Sequence, residues 1–335
     1  MQRLTFLCFS LVCLFGNISA QVSRKSNKVG VAYVTSWSKV IPNPNLITHI
    51  NYAFGHVNKS FNGIRIDNPE RLKEIVALKT KSPNLKVQLS VGGWGSGGFS
   101  EMAASDSLRN LFAKDCKRVV AEFLLDGIDI DWEYPTADYA GITASPNDTE
   151  NFTALMKAIR KAIGKDKLLT LATVASAQYI NFPNIISNVN FVNIMAYDMA
   201  SPPFHHAGLF TSAFTKDNSV AQAVDLHIKA GVPPQKLVLG IPFYGRGNQE
   251  IGGFIDYNKI LKLEGYQEKW DDVAKAPYLV NAKGEFVCSF ENENSIKEKC
   301  SFIKQEGLLG AMYWDYAGDD CKATLSKAVV SGILK

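Results

Sequence analysis

Three carboxylic acids occupy alternate positions in one short segment of the chain. The residues from Asp126 to Pro135 are Asp-Gly-Ile-Asp-Ile-Asp-Trp-Glu-Tyr-Pro, which puts acids at Asp129, Asp131 and Glu133. Alternate side chains of a β-strand share one face, so these three acids would lie side by side, with apolar residues on the opposite face. Like charges this close cannot all ionise, and at least one acid should keep its proton near neutral pH. Such an acid can protonate the oxygen of a leaving group.

Two other interpretations of this segment are a solvated acidic loop and an oxygen-ligand site for Mg²⁺ or Ca²⁺. The large apolar residues Ile128, Ile130 and Trp132 disfavour a solvated loop, because such side chains are usually buried. Asp126 has the opposite parity from the three acids, and we interpret it as a structural turn residue. The metal alternative stays open, although our prediction is a site with no metal and no cofactor.

Short β-rich runs alternate with helical patterns along the whole chain. The eight runs are Val29–Trp37, His49–Val57, Lys86–Trp94, Gly127–Tyr134, Leu168–Ala175, Phe191–Asp198, Lys236–Tyr244 and Leu309–Trp314. Helical patterns are clearest at Pro69–Lys81, Ser107–Leu124, Thr149–Ile163, Val220–Ala230, Ser295–Gln305 and Ala323–Val330. The connections after Trp37 and after Ala175 carry little helical pattern.

This alternation predicts a parallel sheet with helices outside it. Eight units favour an α/β fold of the closed (β/α)₈ TIM-barrel type over an open doubly wound sheet. In a barrel the apolar face of the acidic strand meets the helices, so the acids line the interior. Glu133 then lies nearest the C-terminal mouth, where barrel active sites are found.

One connection is far longer than an ordinary loop of a barrel. The segment from Arg246 to Asn292 separates the seventh run from its helix by 47 residues and carries several aromatic residues. We predict that residues 246–292 form a small insertion between strand 7 and helix 7, packed beside the mouth of a catalytic barrel that comprises residues 21–335.

The first twenty residues have the pattern of a secretory signal peptide. Arg3 precedes an apolar run from Leu4 to Phe15, and small residues end the segment before Gln21. The run is too short to span a bilayer, so we expect a secreted, extracellular or periplasmic protein without a membrane span after signal removal. A composition of 46% hydrophobic and 20% charged residues is typical of a globular protein, and a formal net charge of +4 does not indicate a nucleic-acid partner.

Four cysteines follow the predicted signal peptide, and in an exported protein they permit up to two disulfides. Cys116 lies in a helical pattern, where a buried free thiol is expected. Cys288 and Cys300 are a candidate pair, and the sequence leaves the pairing of the four cysteines, including Cys321, open.

The acidic segment resembles the DxxDxDxE signature of family 18 glycoside hydrolases, the chitinase family. Other strand ends resemble motifs of the same family in the same order. These are Ser90-Val91-Gly92-Gly93-Trp94, Met195-Ala196-Tyr197-Asp198, Pro242-Phe243-Tyr244-Gly245-Arg246 and Tyr313-Trp314-Asp315. The resemblance extends over nearly the whole chain after the predicted signal peptide.

The resemblance implies a role for each central residue. Glu133 would be the general acid and then the base that activates water. Asp131 would accept a hydrogen bond from the acetamido N–H of the substrate, and Asp129 would share a proton or charge with Asp131. Tyr197 would steady the acetamido oxygen, which itself attacks the anomeric carbon. Trp314 would form the floor of the subsite that precedes the cut.

Further residues are candidates for contact with the sugar chain. They are Tyr33, Phe54, Gly93, Trp94, Met195, Asp198, Tyr244 and Arg246. Trp37 and Trp94 could lie in the core or in the cleft, whereas the outward parity of Trp132 predicts core packing. Arg246 could contact sugar hydroxyls or tie the insertion to the barrel. No chemistry is assigned to the five histidines.

We therefore predict a secreted glycoside hydrolase that cleaves β-1,4-linked N-acetylglucosamine polymers, namely chitin or chitooligosaccharides. The alternatives are an endo-β-N-acetylglucosaminidase that acts on glycoprotein N-glycans and a non-catalytic chitin-binding lectin on the same barrel. Lectin members of the family typically lack the final Glu of the signature, and Glu133 is present here. The expected partner is an N-acetylglucosamine polysaccharide or oligosaccharide, and no nucleic acid.

We expect the mature chain to begin at or near Gln21, because the small residues before it suit cleavage of a signal peptide. N-terminal sequencing of secreted material checks this expectation. Active extracellular protein that keeps Met1 would contradict it.

Overall fold

The structure, a computed structural model, describes residues 27–335, so the predicted signal peptide at 1–20 lies outside the described residues. Eight parallel strands form a closed barrel, and each lies within one of the eight predicted runs. The strands are β1 (Val29–Thr35), β2 (His49–Val57), β4 (Lys86–Gly92), β5 (Gly127–Asp131), β6 (Leu168–Val174), β7 (Phe191–Met195), β8 (Leu237–Pro242) and β14 (Gly310–Trp314). Strand β1 pairs with both β2 and β14, which closes the sheet and confirms the (β/α)₈ prediction over the open sheet.

Helices surround the barrel. They are α1 (Pro69–Ala77), α2 (Phe99–Ala104), α3 (Asp106–Glu122), α4 (Asp148–Ile163), α5 (Phe182–Ile185), α6 (Val220–Lys229), α8 (Glu293–Gln305) and α9 (Thr324–Val329). All but α2 and α5 lie at the positions that the sequence patterns predict. The connection after β1 has only a 3₁₀ turn at Pro44–Leu46, and that after β6 only the four-residue α5, as their weak patterns indicated. A short strand β3 (Ile64–Ile66) pairs antiparallel with β2. No helix among residues 27–335 is long and apolar enough to cross a membrane.

The two faces of the barrel strands have different chemistry. On β5, Ile128 and Ile130 are fully buried in the large apolar cluster between strands and helices. The lumen instead combines a small apolar cluster, which includes Val31, Phe54 and Met312, with polar side chains. Among the polar ones, the Gln88 amide donates to Asn51 Oδ1 (2.8 Å) and Thr170 Oγ1 (2.9 Å). A polar group in this dry interior requires a partner, so the lumen side chains bond across strands.

The long connection after β8 folds into its own antiparallel sheet of five strands. In chain order the elements are β9 (Tyr244–Gly247), β10 (Ile255–Asp256), the short helix α7 (Tyr257–Ile260), β11 (Gln267–Asp271), β12 (Ala276–Val280) and β13 (Phe286–Ser289). A buried ion pair between Lys299 on α8 and Glu291 fastens the end of this segment, and Lys299 also donates to the carbonyl of Ala207 (2.7 Å). Charges without solvent need such paired geometry.

The candidate Cys288–Cys300 disulfide is not formed. Cys116, Cys288, Cys300 and Cys321 are all free thiols, and the first three are buried. A Cβ added to Gly245 would lie 2.9 Å from the Cys288 sulfur, and one added to Gly332 would lie 2.5 Å from the Cys300 sulfur. The two sulfurs of the candidate pair therefore pack against different glycines. The buried free thiol predicted for Cys116 is confirmed.

Candidate active site

Asp129 lies at the centre of the lumen and is completely buried. Its carboxylate accepts four hydrogen bonds, from Tyr33 Oη (2.7 Å), Ser90 Oγ (2.8 Å), Thr170 Oγ1 (2.6 Å) and Asn193 Nδ2 (3.2 Å). Burial raises the pKa of Asp129 above its ordinary value, while these hydrogen bonds counteract the rise. The carboxylate is therefore held in place by hydrogen bonds from protein groups, and it does not line the open cleft.

Asp131 and Glu133 follow on the same face and approach the cleft. Burial raises the pKa of Asp131 well above its ordinary value, and the charges of Glu133 and Asp129 raise it further. The Oδ1 atom of Asp131 is buried and has no hydrogen-bond partner among the described residues. Burial also raises the pKa of Glu133 to about 7, and the nearby charge of Asp198 contributes. The raised pKa values of Asp131 and Glu133 mean that this pair retains a proton closer to neutral pH than ordinary carboxyls do, as the alternation of acids predicted.

Two glycines at the end of β4 make room for this row of acids. A Cβ on Gly92 would lie 1.9 Å from the carbonyl oxygen of Asp131, and one on Gly93 would lie 2.6 Å from the Phe54 ring. Their φ angles of +130° and +94° also disfavour other residues. Gly93 donates its N–H to the carbonyl of Asp131 (2.8 Å), so the glycine pair lets two strands meet closely beside the acids.

Asp198 faces the acids from the end of β7 and is held by three side chains. It accepts hydrogen bonds from Tyr244 Oη (2.7 Å) and Arg246 Nε (2.6 Å), and His206 Nδ1 lies 3.4 Å away. Burial would raise the pKa of Asp198, but the bonds and charges of His206 and Arg246 outweigh it and lower the pKa well below its ordinary value. Asp198 is thus a permanent negative charge that favours the protonated form of Glu133.

Arg246 ties the insertion to the barrel, the second of its two predicted alternatives. Besides Asp198 it bonds the carbonyl of Gly253 (3.2 Å), and its guanidinium lies over the stacked rings of Tyr244 and Phe254. It also lines the cleft, so contact with sugar hydroxyls stays a prediction.

Aromatic rings form one end of the cleft. Trp314, at the end of β14, stacks on Phe54 with ring centroids 5.6 Å apart, and Tyr33 and Trp37 border it at 5.7 and 6.4 Å. Trp37 is 65% exposed, which places it in the cleft rather than the core. Such flat apolar faces suit stacking against the C–H faces of sugar rings.

A second aromatic group surrounds Tyr134, the residue that follows Glu133. Trp94 is 64% exposed and meets Tyr134 edge-on at 6.5 Å, so it too belongs to the cleft. Tyr134 in turn stacks on Tyr179, at 5.4 Å, and contacts Tyr139. Trp132 stacks on Phe99 outside the barrel, as core packing predicted.

The cleft between these groups has a volume of about 770 Å³ and gathers the predicted site residues, with Asp129 alone lying behind its surface. Those that line it are Tyr33, Phe54, Gly93, Trp94, Asp131, Glu133, Met195, Tyr197, Asp198, Tyr244, Arg246 and Trp314. The sequence analysis missed several other lining residues, namely His56, Asp67, Tyr134, Tyr139, Val174 and Phe254. Only Tyr134 carried a usable signal, since it follows Glu133 directly.

The arrangement suits proton transfer between a buried acid and a leaving group. Within residues 27–335 no group of three or more His, Cys, Asp or Glu side chains is arranged to hold a metal ion. The chemistry that the described residues can supply is a proton at Glu133, an unpaired acceptor at Asp131 and a ring hydroxyl at Tyr197.

Comparison with known proteins gives a consistent result. Residues 29–319 match the model of the family described as glycosyl hydrolases family 18. Chitinase A1 of Niallia circulans is 33% identical over 341 residues, which is 87% of this chain and 49% of that protein, so this chain spans about half of its length. Chitotriosidase-1 of Mus musculus is 32% identical over 88% of this chain and 74% of that protein.

Solved structures agree with these relatives. A family 18 N-acetylglucosaminidase from Paenibacillus barengoltzii superimposes with a TM-score of 0.83 at 34% identity, covering 91% of this chain and 99% of that one.

The position of Asp198 predicts how the Glu133 proton responds to mutation. Asp198→Asn removes a negative charge and leaves Arg246 and His206 unbalanced, so the pKa of Glu133 should fall below its value of about 7. Carbon-13 NMR titration of glutamate carboxyls, assigned with Glu133→Gln, measures the change. The exposed Asp225→Asn on α6 is the matched control and should cause no shift. An unchanged or higher pKa in Asp198→Asn would contradict this electrostatic account.

Proposed function

The chain belongs to family 18 of the glycosyl hydrolases, and we propose that it cleaves β-1,4-linked N-acetylglucosamine polymers such as chitin and chitooligosaccharides. The proposed mechanism is substrate-assisted and retains the anomeric configuration. Export through the predicted signal peptide is part of the same proposal. Two of the relatives are named as a chitinase and a chitotriosidase, and these names support this substrate class.

The observation that carries the proposal is the state of the two outer acids. The pKa of Glu133 is raised to about 7, so this acid can hold a proton near neutral pH, and Asp131 presents a buried oxygen with no partner among the described residues. An unpaired buried acceptor costs about 1–3 kcal/mol, a cost that stability alone does not explain. A substrate N–H group that bonds this oxygen would remove the cost on binding.

In the proposed first step Glu133 donates its proton to the glycosidic oxygen while the acetamido oxygen of the preceding sugar attacks the anomeric carbon. The C–O bond breaks, the leaving sugar departs as an alcohol, and a cyclic cation remains. Asp131 stabilises the positive charge that develops on the acetamido N–H, and Tyr197 orients the acetamido oxygen. In the second step the Glu133 carboxylate takes a proton from water, and the water oxygen attacks the anomeric carbon from the face that the leaving sugar occupied. The bond from this carbon to the acetamido oxygen breaks, which opens the cyclic cation and gives the β anomer.

The name of the Paenibacillus enzyme favours a second candidate, release of single N-acetylglucosamine residues. Product profiles from chitin oligomers of several lengths distinguish it from internal cleavage, because release of single residues gives early products of only the monomer and the oligomer shortened by one residue. An N-glycosylated protein substrate run in parallel tests the glycan-releasing alternative. Release of intact glycans without cleavage of chitin oligomers would overturn the proposed substrate.

Glu133→Gln should fold normally and lose at least about a thousandfold in kcat, because it removes the proton donor without changing the shape of the side chain. Steady-state kinetics on a chitin oligomer measure the loss, and circular dichroism checks the fold. Glu122→Gln, an exposed glutamate on α3, is the matched control and should keep full activity. Near-normal turnover by Glu133→Gln would disprove its catalytic role.

The nucleophile in this mechanism belongs to the substrate. Deacetylation of the sugar before the cut should therefore abolish cleavage there, although Glu133 is untouched. Proton NMR of the first product formed should show the β anomer. An α product, or efficient cleavage after a deacetylated sugar, would refute substrate assistance.

Asp131→Asn provides a companion to this experiment. A neutral amide cannot balance the positive charge on the acetamido nitrogen, so kcat should fall severely while the protein still binds substrate. Wild-type turnover in Asp131→Asn would show that this charge is stabilised elsewhere.

A further inference from the structure

A chain of hydrogen bonds runs from the edge of the cleft into the loop that carries Trp94. His56, near the end of β2, places Nε2 2.9 Å from Asp67 Oδ2 and Nδ1 2.8 Å from Ser96 Oγ. Arg65 pairs with the other oxygen of Asp67. His56 and Asp67 line the cleft, but neither belongs to the set of acids that the proposed mechanism uses.

The chemistry of the three side chains determines which atom donates each of these hydrogen bonds. A carboxylate accepts hydrogen bonds only, so Nε2 of His56 must carry a hydrogen. In the neutral imidazole Nδ1 is then an acceptor, and the Ser96 hydroxyl donates to it. Both ring nitrogens are satisfied, and the ring is fixed in one orientation.

Serine, histidine and aspartate in this order also occur in hydrolases that use a serine nucleophile. Here Ser96 is only 9% exposed and lies behind the imidazole, outside the cleft lining. A nucleophile must reach its substrate, so the Ser96 hydroxyl has a positioning role.

The loop that Ser96 belongs to has little rigidity of its own. Four of the seven residues from Gly92 to Gly98 are glycines with positive φ, at positions 92, 93, 95 and 98. Glycine-rich segments lose more conformational entropy than others when they become ordered. Trp94 sits in the middle of this loop, mostly exposed, and within residues 27–335 its ring contacts no other ring than the edge of Tyr134.

We propose that Ser96 is a positioning residue that, through His56 and Asp67, holds the Trp94 loop in place for binding the sugar chain. The proposal rests on the proposed function for the identity of that chain. Trp94 adjoins Tyr134, the residue after Glu133, and lines the same cleft as the Trp314 group. When the Ser96–His56–Asp67 hydrogen bonds hold the loop, Trp94 is ordered before the substrate arrives, and binding costs less conformational entropy.

The test is a double-mutant cycle between Ser96 and Trp94. Ser96→Ala should raise KM for a chitin hexamer about fivefold and leave kcat within about twofold, because it loosens a binding surface without touching the acids. In the Trp94→Ala background the same substitution should have no further effect. Ser96→Thr keeps the hydroxyl and should restore wild-type KM. Ser60→Ala, in the exposed loop after β2, is the matched control.

Fluorine-19 NMR of protein labelled with 5-fluorotryptophan gives a readout that needs no turnover. The chain has five tryptophans, and Trp94→Phe identifies the resonance of Trp94. Ser96→Ala should shift and narrow that resonance alone, and the other four show that the fold is intact. An equal rise of KM in both backgrounds, or an unchanged Trp94 resonance, would overturn the proposal. A wild-type protein that does not cleave chitin oligomers would overturn the proposed function instead, and the NMR result would still stand.

Discussion

Four hydrogen bonds to one buried carboxylate hold the centre of this barrel together. The donors to Asp129 come from β1, β4, β6 and β7, so a single side chain on β5 connects strands from around the lumen. An isolated carboxylate in this position would cost several kcal/mol, and removal of any one donor exposes part of that cost. The polar network of the lumen is therefore specified as a unit, beside a small apolar cluster in the lumen and a large apolar core on the outer face of the strands.

The other two acids depend on Asp129 because they share its strand face. Asp131 lies between two acids, and burial together with their charges raises its pKa. Glu133 lies at the open end of the row and faces the fixed charge of Asp198. The row thus passes from a fully bonded acceptor, through an unpaired one, to a proton donor at the cleft. The differences among the three acids follow from how deep each one lies in the barrel.

Loops from both sides complete the site on this rigid base. Arg246 belongs to β9 of the insertion but bonds Asp198 of the barrel, so the insertion and the catalytic electrostatics are connected. His206 is fully buried against the same carboxylate. On the opposite side the His56–Ser96 bond fastens the glycine-rich loop of Trp94. The barrel supplies the acids, and these fastened loops supply the walls that hold a sugar chain.

Local patterns in the sequence predicted the repeating part of the molecule. The alternation of runs and helices predicted the barrel, and the parity of Asp129, Asp131 and Glu133 predicted an inward row of acids with Trp132 outside. These features depend on periods of 2 and 3.6 residues, which neighbouring residues determine by themselves. Most of the other cleft residues were placed by the resemblance of the strand-end motifs to those of family 18, and not by periodicity.

Only the tertiary structure decided features that depend on contacts between distant segments. On β2, Asn51 and Ala53 face the lumen, and strict alternation would turn Phe54 and His56 outward. An irregularity in the pairing with β4 between Ala53 and Gly55 reverses the parity, and Phe54 then packs in the lumen cluster while His56 lines the cleft. The contact between His206 and Asp198 and the different packing of the Cys288 and Cys300 sulfurs also depend on contacts between distant segments. Strand register and loop packing are set by partners remote in sequence, and no local period records them.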